Sequence, residues 1–262
     1  MELKKYLWLW GQSAGTHHEC ENNIWNLPGE NKMTPMEGAK YFGIPNMCRV
    51  VMGNKPAPPF DKDAEELLAC EKVVWSIIGD DSSDRTSKGV DDLDEVLRLA
   101  KKFPNITGGI MDDFMRPSRM AVYTPEVLKG FKDKLHSAGL DFWTVLYEHE
   151  IIPKAVPYLN QCDNISLWTW MGDNLKHLEE NCKKLREMLL GGQKLYMGCY
   201  MWDYGASKPL SLSNMEYQLE LYKKWLKEGV ISGIILCSNC IADVGIEAVD
   251  FTKKWIDENS EI

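Results

Sequence analysis

Apolar residues along the chain fall into two alternating rhythms. Short runs rich in Val, Ile, Leu and aromatic residues, the side chains that fit a pleated surface, alternate with longer stretches in which apolar positions recur every three or four residues. The short runs predict strands over Tyr6–Gly11, Met47–Met52, Val73–Gly79, Thr107–Phe114, Asp141–Glu148, Ile165–Met171, Lys194–Asp203 and Ser232–Ser238. The longer stretches predict helices with one apolar face, as in Leu93, Val96, Leu97 and Ala100, or Leu219, Tyr222, Trp225 and Leu226. Thr34-Pro35, Thr124-Pro125-Glu126 and Ser213 mark helix starts, because they carry N-cap or first-turn chemistry. Gly139, Gly191 and Gly229 mark helix ends, where a left-handed residue closes the last turn.

The alternation has a period of about 30 residues, the size of a strand–helix unit, and the count reaches eight. Eight consecutive units without a change of pattern favour closure into an α/β (β/α)8 barrel, the TIM barrel, over an open doubly wound sheet. The length of 262 residues fits one such barrel. No linker rich in Gly, Ser or Pro divides it, so residues 1–262 read as a single barrel domain. The longest irregular stretches, Gln12–Lys32 and Asp80–Lys88, both follow strands, and in a barrel such loops lie on the catalytic face.

Composition removes several classes of function. Hydrophobic residues at 44% and charged residues at 26% are ordinary for a globular chain. A net charge of -9 without a basic stripe argues against a nucleic-acid partner; the lysine pairs at 101–102, 183–184 and 223–224 read as solvated helix surface. No apolar run reaches the roughly 18 residues needed to span a bilayer, so no membrane partner is expected. Met-Glu-Leu-Lys-Lys at the N-terminus has the charged start of a signal peptide. Its apolar stretch is short, however, and runs into Gly11 and Gln12 without a cleavage site, so it reads as the first strand. Of eight cysteines, Cys48, Cys199 and Cys237 fall in strand-like runs and Cys70 and Cys182 in helix-like ones. They read as small core residues of a reducing compartment, which makes a cytoplasmic protein the expectation. Cys237-Ser238-Asn239-Cys240 is a lone CxxC with no second pair to complete a metal site.

The predicted strand ends carry the candidate chemistry, because nearly every one delivers a large aromatic residue, a carboxylate or both. Strand one gives Trp8, Trp10 and then Gln12; strand three gives Trp75 and then Asp80 and Asp81; strand four ends in Asp112, Asp113 and Phe114. Strand five ends in Tyr147, Glu148, His149 and Glu150, strand six in Trp168, Thr169 and Trp170, strand seven in Tyr200, Met201, Trp202, Asp203 and Tyr204, and strand eight in Cys237, Ser238 and Asn239. Indole is too bulky for several copies to fit the lower layers of a barrel, which places strand-end tryptophans in the mouth. Carboxylates are costly inside a barrel but useful at its open end. Asp112 and Asp113 are neighbours and should point to opposite sides, so one of them is expected to face a substrate. Aromatic platforms with opposing carboxylates suit a saccharide: indole packs on the C–H faces of sugar rings, and glycosidic cleavage needs a proton donor and a second carboxylate.

With these residues in place, the chain resembles the glycoside-hydrolase-like TIM barrels. The resemblance spans the whole chain in architecture and is sharpest in Gly108-Gly109-Ile110-Met111-Asp112-Asp113-Phe114, which is similar to the acidic strand-four end of several such families, chitinase-like ones included. The chitinase pattern places a Glu two residues beyond its last Asp, where this chain has Met115. Retaining barrels of the large glycosidase clan carry two Glu at the ends of strands four and seven, positions held here by Asp113 and Asp203. The resemblance therefore implies glycosidic-bond hydrolysis without a cofactor, with Asp113 as general acid and Glu148 or Asp203 as the partner carboxylate. Trp10, Trp168, Trp170, Tyr200 and Trp202 would then contact the sugar, with Gln12, Arg49, Asp112, Glu150 and Asn239 available to its hydroxyl groups.

Two other classes stay open on sequence alone. A metal-dependent sugar isomerase or amidohydrolase-like barrel would draw ligands from His17, His18, Asp112, Glu148, His149 and Glu150, although the adjacent pair His17-His18 lacks the HxH spacing that puts two imidazoles on one strand face. A non-catalytic barrel would use the same aromatics to hold a glycan without turnover. A phosphorylated sugar would call on the loop holding Gly245 and on Lys208, at the usual phosphate position of a barrel.

Overall fold

Every second residue of a barrel strand points at the barrel axis, so the inward row must fill a closed volume while the outward row meets the helices. In the computed structural model, which describes residues 2–261, eight parallel strands close that volume. They are β1 (Leu7–Gly11), β2 (Asn46–Arg49), β3 (Lys72–Ile78), β4 (Ile106–Met111), β5 (Asp141–Tyr147), β6 (Asn164–Trp168), β7 (Lys194–Tyr200) and β8 (Gly233–Cys237), and each pairs with its neighbours in sequence while β8 pairs with β1. The outer layer is built from helices Pro35–Phe42, Asp61–Glu66, Leu93–Lys102, Pro125–Ser137, Leu178–Met188, Leu212–Lys227 and Glu247–Glu258. Between β5 and β6 it thins to the single turn Val156–Leu159. The expected (β/α)8 barrel is therefore what forms. Among the described residues, no helix is long and apolar enough to cross a membrane.

The strands stop earlier than the apolar pattern predicts. β4 ends at Met111 because Asp113 turns the chain with φ +46°, outside the extended region. Trp202 and Asp203 leave the barrel and pair in antiparallel fashion with Lys208 and Pro209, forming a small hairpin in the loop after β7. Thr34 caps its helix through a full capping box with Glu37, and Thr124 accepts from the Val127 amide. The third start is Ser211 rather than Ser213: its hydroxyl accepts from the Asn214 amide. Gly139 and Gly229 are left-handed as expected, whereas the residue with positive φ near Gly191 is Gly192, after a helix that already ends at Met188.

Packing inside the barrel overturns the expectation that indole belongs only in the mouth. Trp8 of β1, Trp143 of β5 and Tyr196 of β7 all point inward and pack together, with ring centroids 5.0 Å apart for Trp8–Trp143 and 4.3 Å for Trp143–Tyr196. Glycines on the same inward rows make the room. A Cβ at Gly108 would lie 3.0 Å from Trp143 Nε1, and one at Gly233 would lie 2.7 Å from the Tyr196 ring. One layer higher, a Cβ at Gly198 would overlap the Trp168 indole, whose Nε1 donates to Ser166 Oγ at 2.9 Å. Trp75 points the other way, fully buried against Phe60 beneath the Asp61–Glu66 helix, and takes no part in the mouth.

Overpacking in such a core costs about 1–3 kcal/mol, so Gly198→Ala is expected to lower the unfolding free energy measured in urea by that much. Gly130→Ala, on an exposed helical turn where a Cβ meets nothing within 4 Å, should raise stability by about 0.5–1 kcal/mol. Equal responses of the two variants in urea titrations would contradict the packing argument.

Candidate active site

At the carboxyl end of the barrel the inward rows finish in Trp10, Tyr147, Trp168, Tyr200 and Cys237, and Asp112 continues the inward row of β4 after Gly108 and Ile110. Together with residues of the loops above, they line a cleft of about 740 Å³. The acidic side lies over β3 to β5. Asp112 is 5% exposed, and burial, together with the neighbouring Asp113 and Asp80, holds its carboxyl well above the usual carboxylate range. Asp80 is also pushed upward by burial, against hydrogen bonds from Ser82 Oγ at 2.6 Å and Ser83 Oγ at 2.8 Å. Glu150 accepts from the Tyr147 amide at 2.9 Å and is raised by burial. Asp113 is half-buried and accepts from the Asp81 amide at 3.1 Å.

Arg119 supports this arc from below without neutralising it. It is 2% exposed and donates to main-chain carbonyls: Gly79 at 2.6 Å, Asp80 at 2.5 Å and Asp112 at 2.9 Å. One guanidinium thus ties the end of β3 to the end of β4 and fixes the backbone from which Asp80, Asp112 and Asp113 project.

The opposite arc is aromatic. Trp10 packs edge-on to Trp168 at 5.2 Å, Trp168 tilts against Tyr200 at 4.9 Å, and Trp170 lies nearly parallel to Tyr204 at 5.8 Å. Trp25, from the long loop after β1, closes on Tyr204 at 5.2 Å. Tyr147 and Tyr200 share a hydrogen bond deep in the cleft, and burial pushes both hydroxyls upward, so both stay protonated. His17 is buried, and burial with the nearby His18 lowers it to about 3, which leaves it neutral. Its Nε2 meets Gln12 Oε1 and its Nδ1 lies 2.9 Å from the Tyr204 hydroxyl. Gln12 Oε1 can only accept, so Nε2 carries the proton and Tyr204 donates to Nδ1.

Of the residues singled out by sequence, Trp10, Gln12, Asp112, Asp113, Glu150, Trp168, Trp170 and Tyr200 come together on this cleft. The two aspartates both reach it, because the left-handed backbone at Asp113 breaks the strand alternation that would have sent it outward. Five others do not line it and hold structure instead. Glu148 accepts from the Trp170 amide at 3.0 Å and from Asn174 Nδ2 at 3.1 Å. Asp203 is 3% exposed and accepts from the Ala206 amide in the β7 hairpin. Arg49 pairs with Asp63 at 2.6 Å beneath the rim. Asn239 bonds the Gln12 amide and carbonyl and the Met33 carbonyl, and Trp202 donates to the Trp25 carbonyl at 3.1 Å. Neither Glu148 nor Asp203 is therefore placed to partner an acid in this cleft.

The rival ligand sets fare differently from one another. His18 turns to the Pro28 carbonyl at 3.0 Å, and no three His, Cys, Asp or Glu side chains among the described residues converge as a metal site. Lys208 and Gly245 are not on the cleft wall. Cys237 lines the cleft, while Cys240 donates to the Ser13 carbonyl at 3.4 Å. Sequence reasoning missed Trp25 and Arg119 altogether. A tryptophan isolated in a polar loop was the available signal for Trp25; nothing local marks Arg119.

No family model and no curated protein matches the sequence. Among solved structures, the chain is similar to the spore cortex-lytic enzyme SleL of Bacillus megaterium QM B1551, with a TM-score of 0.60 at 11% identity over 100% of this chain and 75% of that one. It is also similar to the tryptophan synthase complex of Pyrococcus furiosus, with a TM-score of 0.51 at 13% identity over 98% of both chains. A mutant alpha-subunit of the same synthase gives 0.53 at 13% identity over 98% of both. Likeness at this identity shows the barrel fold and nothing finer.

The raised carboxyl of Asp112 has a thermodynamic sign. A carboxyl whose folded-state pKa lies above its unfolded value keeps its proton longer in the native state, so stability falls as pH rises from about 4. Asp112→Asn removes that liability. Thermal scans are expected to show the variant melting higher than the parent at pH 7, by on the order of 2–4 °C, with the difference vanishing near pH 4. A variant less stable than the parent at pH 7 would contradict the assigned shift.

Proposed function

We propose that the cleft binds a saccharide and that the protein hydrolyses a glycosidic bond, with Asp112 as proton donor and Asp113 as partner carboxylate. The observation that carries this reading is a buried carboxyl, disposed to stay protonated, facing an arc of aromatic rings in a cleft large enough for a small oligosaccharide. Asp112 would deliver its proton to the leaving glycosidic oxygen, and Asp113, closer to solvent, would take a proton from the water whose oxygen bonds to the anomeric carbon. Trp168 and Trp170 offer apolar faces to the sugar ring, and the hydroxyls of Tyr147, Tyr200 and Tyr204 reach its polar edge. The likeness to a lytic enzyme supports this reading only at the level of the scaffold.

The proposal differs from the residue roles read off the sequence by moving the acid from Asp113 to Asp112, since of these two Asp112 is the more deeply buried and has both Asp113 and Asp80 beside it. Hydrolysis of a glycan panel by the parent, Asp112→Asn and Asp113→Asn tests it. Loss of a general acid or base lowers rates by about 10²–10⁴-fold, so each variant should lose that much kcat on any accepted glycan while remaining folded. Turnover that persists in both variants sinks the proposed chemistry; tight glycan binding by the parent with no turnover points to a lectin-like barrel.

A further inference from the structure

The loops above the strand ends are fastened to one another around the mouth. Between the loops after β1 and β2, Lys55 pairs with Glu19 at 2.6 Å. The Gly53 amide donates to Ser82 Oγ at 2.9 Å, joining the loops after β2 and β3, and Arg116 joins the next pair by meeting Asp81 at 3.0 Å. The Tyr158 hydroxyl donates to the Met120 carbonyl at 3.4 Å between the loops after β4 and β5, and Glu148 accepts from the Trp170 amide at 3.0 Å between those after β5 and β6. The Gly205 amide donates to the Trp170 carbonyl at 3.1 Å, which ties the loop after β7 to the loop after β6. Trp202 Nε1 and Ser207 Oγ then donate to the carbonyls of Trp25 and Ile24, so the long loop after β1 reaches past β8 and completes the ring. It is itself held to the loop after β8, where Asp243 accepts from the amides of Lys32 and Met33 at 2.9 Å.

The proposed acid stands low inside this ring. Asp112 is the first residue after β4 and is 5% exposed, among the side chains that finish the inward rows. Most of the links come later along their loops: Ser82, Arg116, Met120, Gly205 and Trp25 all follow their strand ends by several residues. Side chains thicken the wall between them. His149 stacks on Tyr147 at 5.7 Å on the β5 side, and Trp25 and Trp170 both meet Tyr204 on the other, at 5.2 Å and 5.8 Å. A groove that holds the middle of a polymer must leave the mouth through two opposite gaps. Among the described residues the ring of loops is bridged at each step, which leaves no such pair of gaps. The volume of about 740 Å³ is likewise that of a small-ligand site, for which ~300–1,000 Å³ is usual.

We propose that the cleft is a blind pocket that admits the terminus of a glycan chain and not its interior, so that hydrolysis removes a mono- or disaccharide from the end. This rests on the saccharide reading above and adds which part of the substrate is recognised. The terminal sugar enters toward Asp112, and the rest of the chain leaves by the way the terminus came in. Each turnover breaks one glycosidic C–O bond; the anomeric carbon gains the hydroxyl of water, and the leaving oxygen gains a proton. A chain bound by its middle would have to cross the wall twice.

The test uses the full chain and linear hexamers, namely cellohexaose, maltohexaose and the hexamer of N-acetylglucosamine. Each is compared with the same hexamer capped at both termini, by an ethylidene group at one end and a fluorophore at the other. Chromatography follows the products from the first turnovers, and calorimetry follows binding. On an accepted hexamer the first product is expected to be a mono- or disaccharide with its matching remainder, and the capped form should be cut at least about 100-fold more slowly. Trisaccharides as the first products, or comparable cleavage of the capped form, overturn recognition of the terminus and leave the hydrolytic reading standing. Without cleavage, binding of the free hexamer at least about tenfold tighter than the capped one overturns the hydrolytic reading and supports recognition of the terminus. Without cleavage, equal binding of free and capped hexamers, or binding of neither, overturns both.

Discussion

An eight-stranded barrel encloses a volume that must be filled to the density of a solid, and here large rings fill it. Trp8, Trp143 and Tyr196 occupy the lower interior, and Trp168 the layer above, because Gly108, Gly233 and Gly198 give up their side-chain volume on adjoining rows. The choice propagates upward. With the lower interior closed by aromatic rings, the inward positions at the carboxyl ends of the strands are left to form the floor of a cleft. The first polar group on the β4 row, Asp112, follows Gly108 and Ile110 and is itself buried.

That position explains the electrostatics better than any single contact does. A carboxyl above a ring-filled core is poorly solvated on its lower side, and two further aspartates stand beside it. A carboxyl raised in this way weighs against the folded state as pH rises, and groups perturbed by burial and like charges cluster at functional sites. The neighbouring hydroxyls of Tyr147 and Tyr200 stay neutral for the same reason, so the acidic arc faces donors that do not themselves ionise.

The barrel was legible because its signal is repeated: eight apolar runs at a regular period leave few other topologies, and the caps at Thr34 and Thr124 are local chemistry. The site was legible only in part. Trp10, Trp168 and Tyr200 follow from strand alternation, which holds up to the last paired residue. Beyond that residue Asp112 and Trp170 still keep the alternation, and other positions lose it. Asp113 turns through a left-handed backbone, Glu148 enters a short 3-10 turn, and Asp203 belongs to a hairpin whose Trp-Asp sequence reads as more of β7. Each of these three acids falls inside a predicted strand that in the structure has already ended. Trp8 and Trp10 share an inward face in sequence, yet Trp8 meets Trp143 and Tyr196 in the lower interior while Trp10 meets Trp168 on the cleft.

The Arg119 clamp grips main-chain carbonyls of residues 79, 80 and 112 and leaves their side chains alone. At Asp80 and Asp112 the support is thereby carried by the main chain and the acidity by the side chain. Replacing an acid in this arc changes what the cleft does without removing what holds the two strand ends together, so the arc can accept new chemistry on an unchanged frame. Replacing the arginine would loosen Asp80, Asp112 and the adjoining Asp113 at once, whatever side chains stood there.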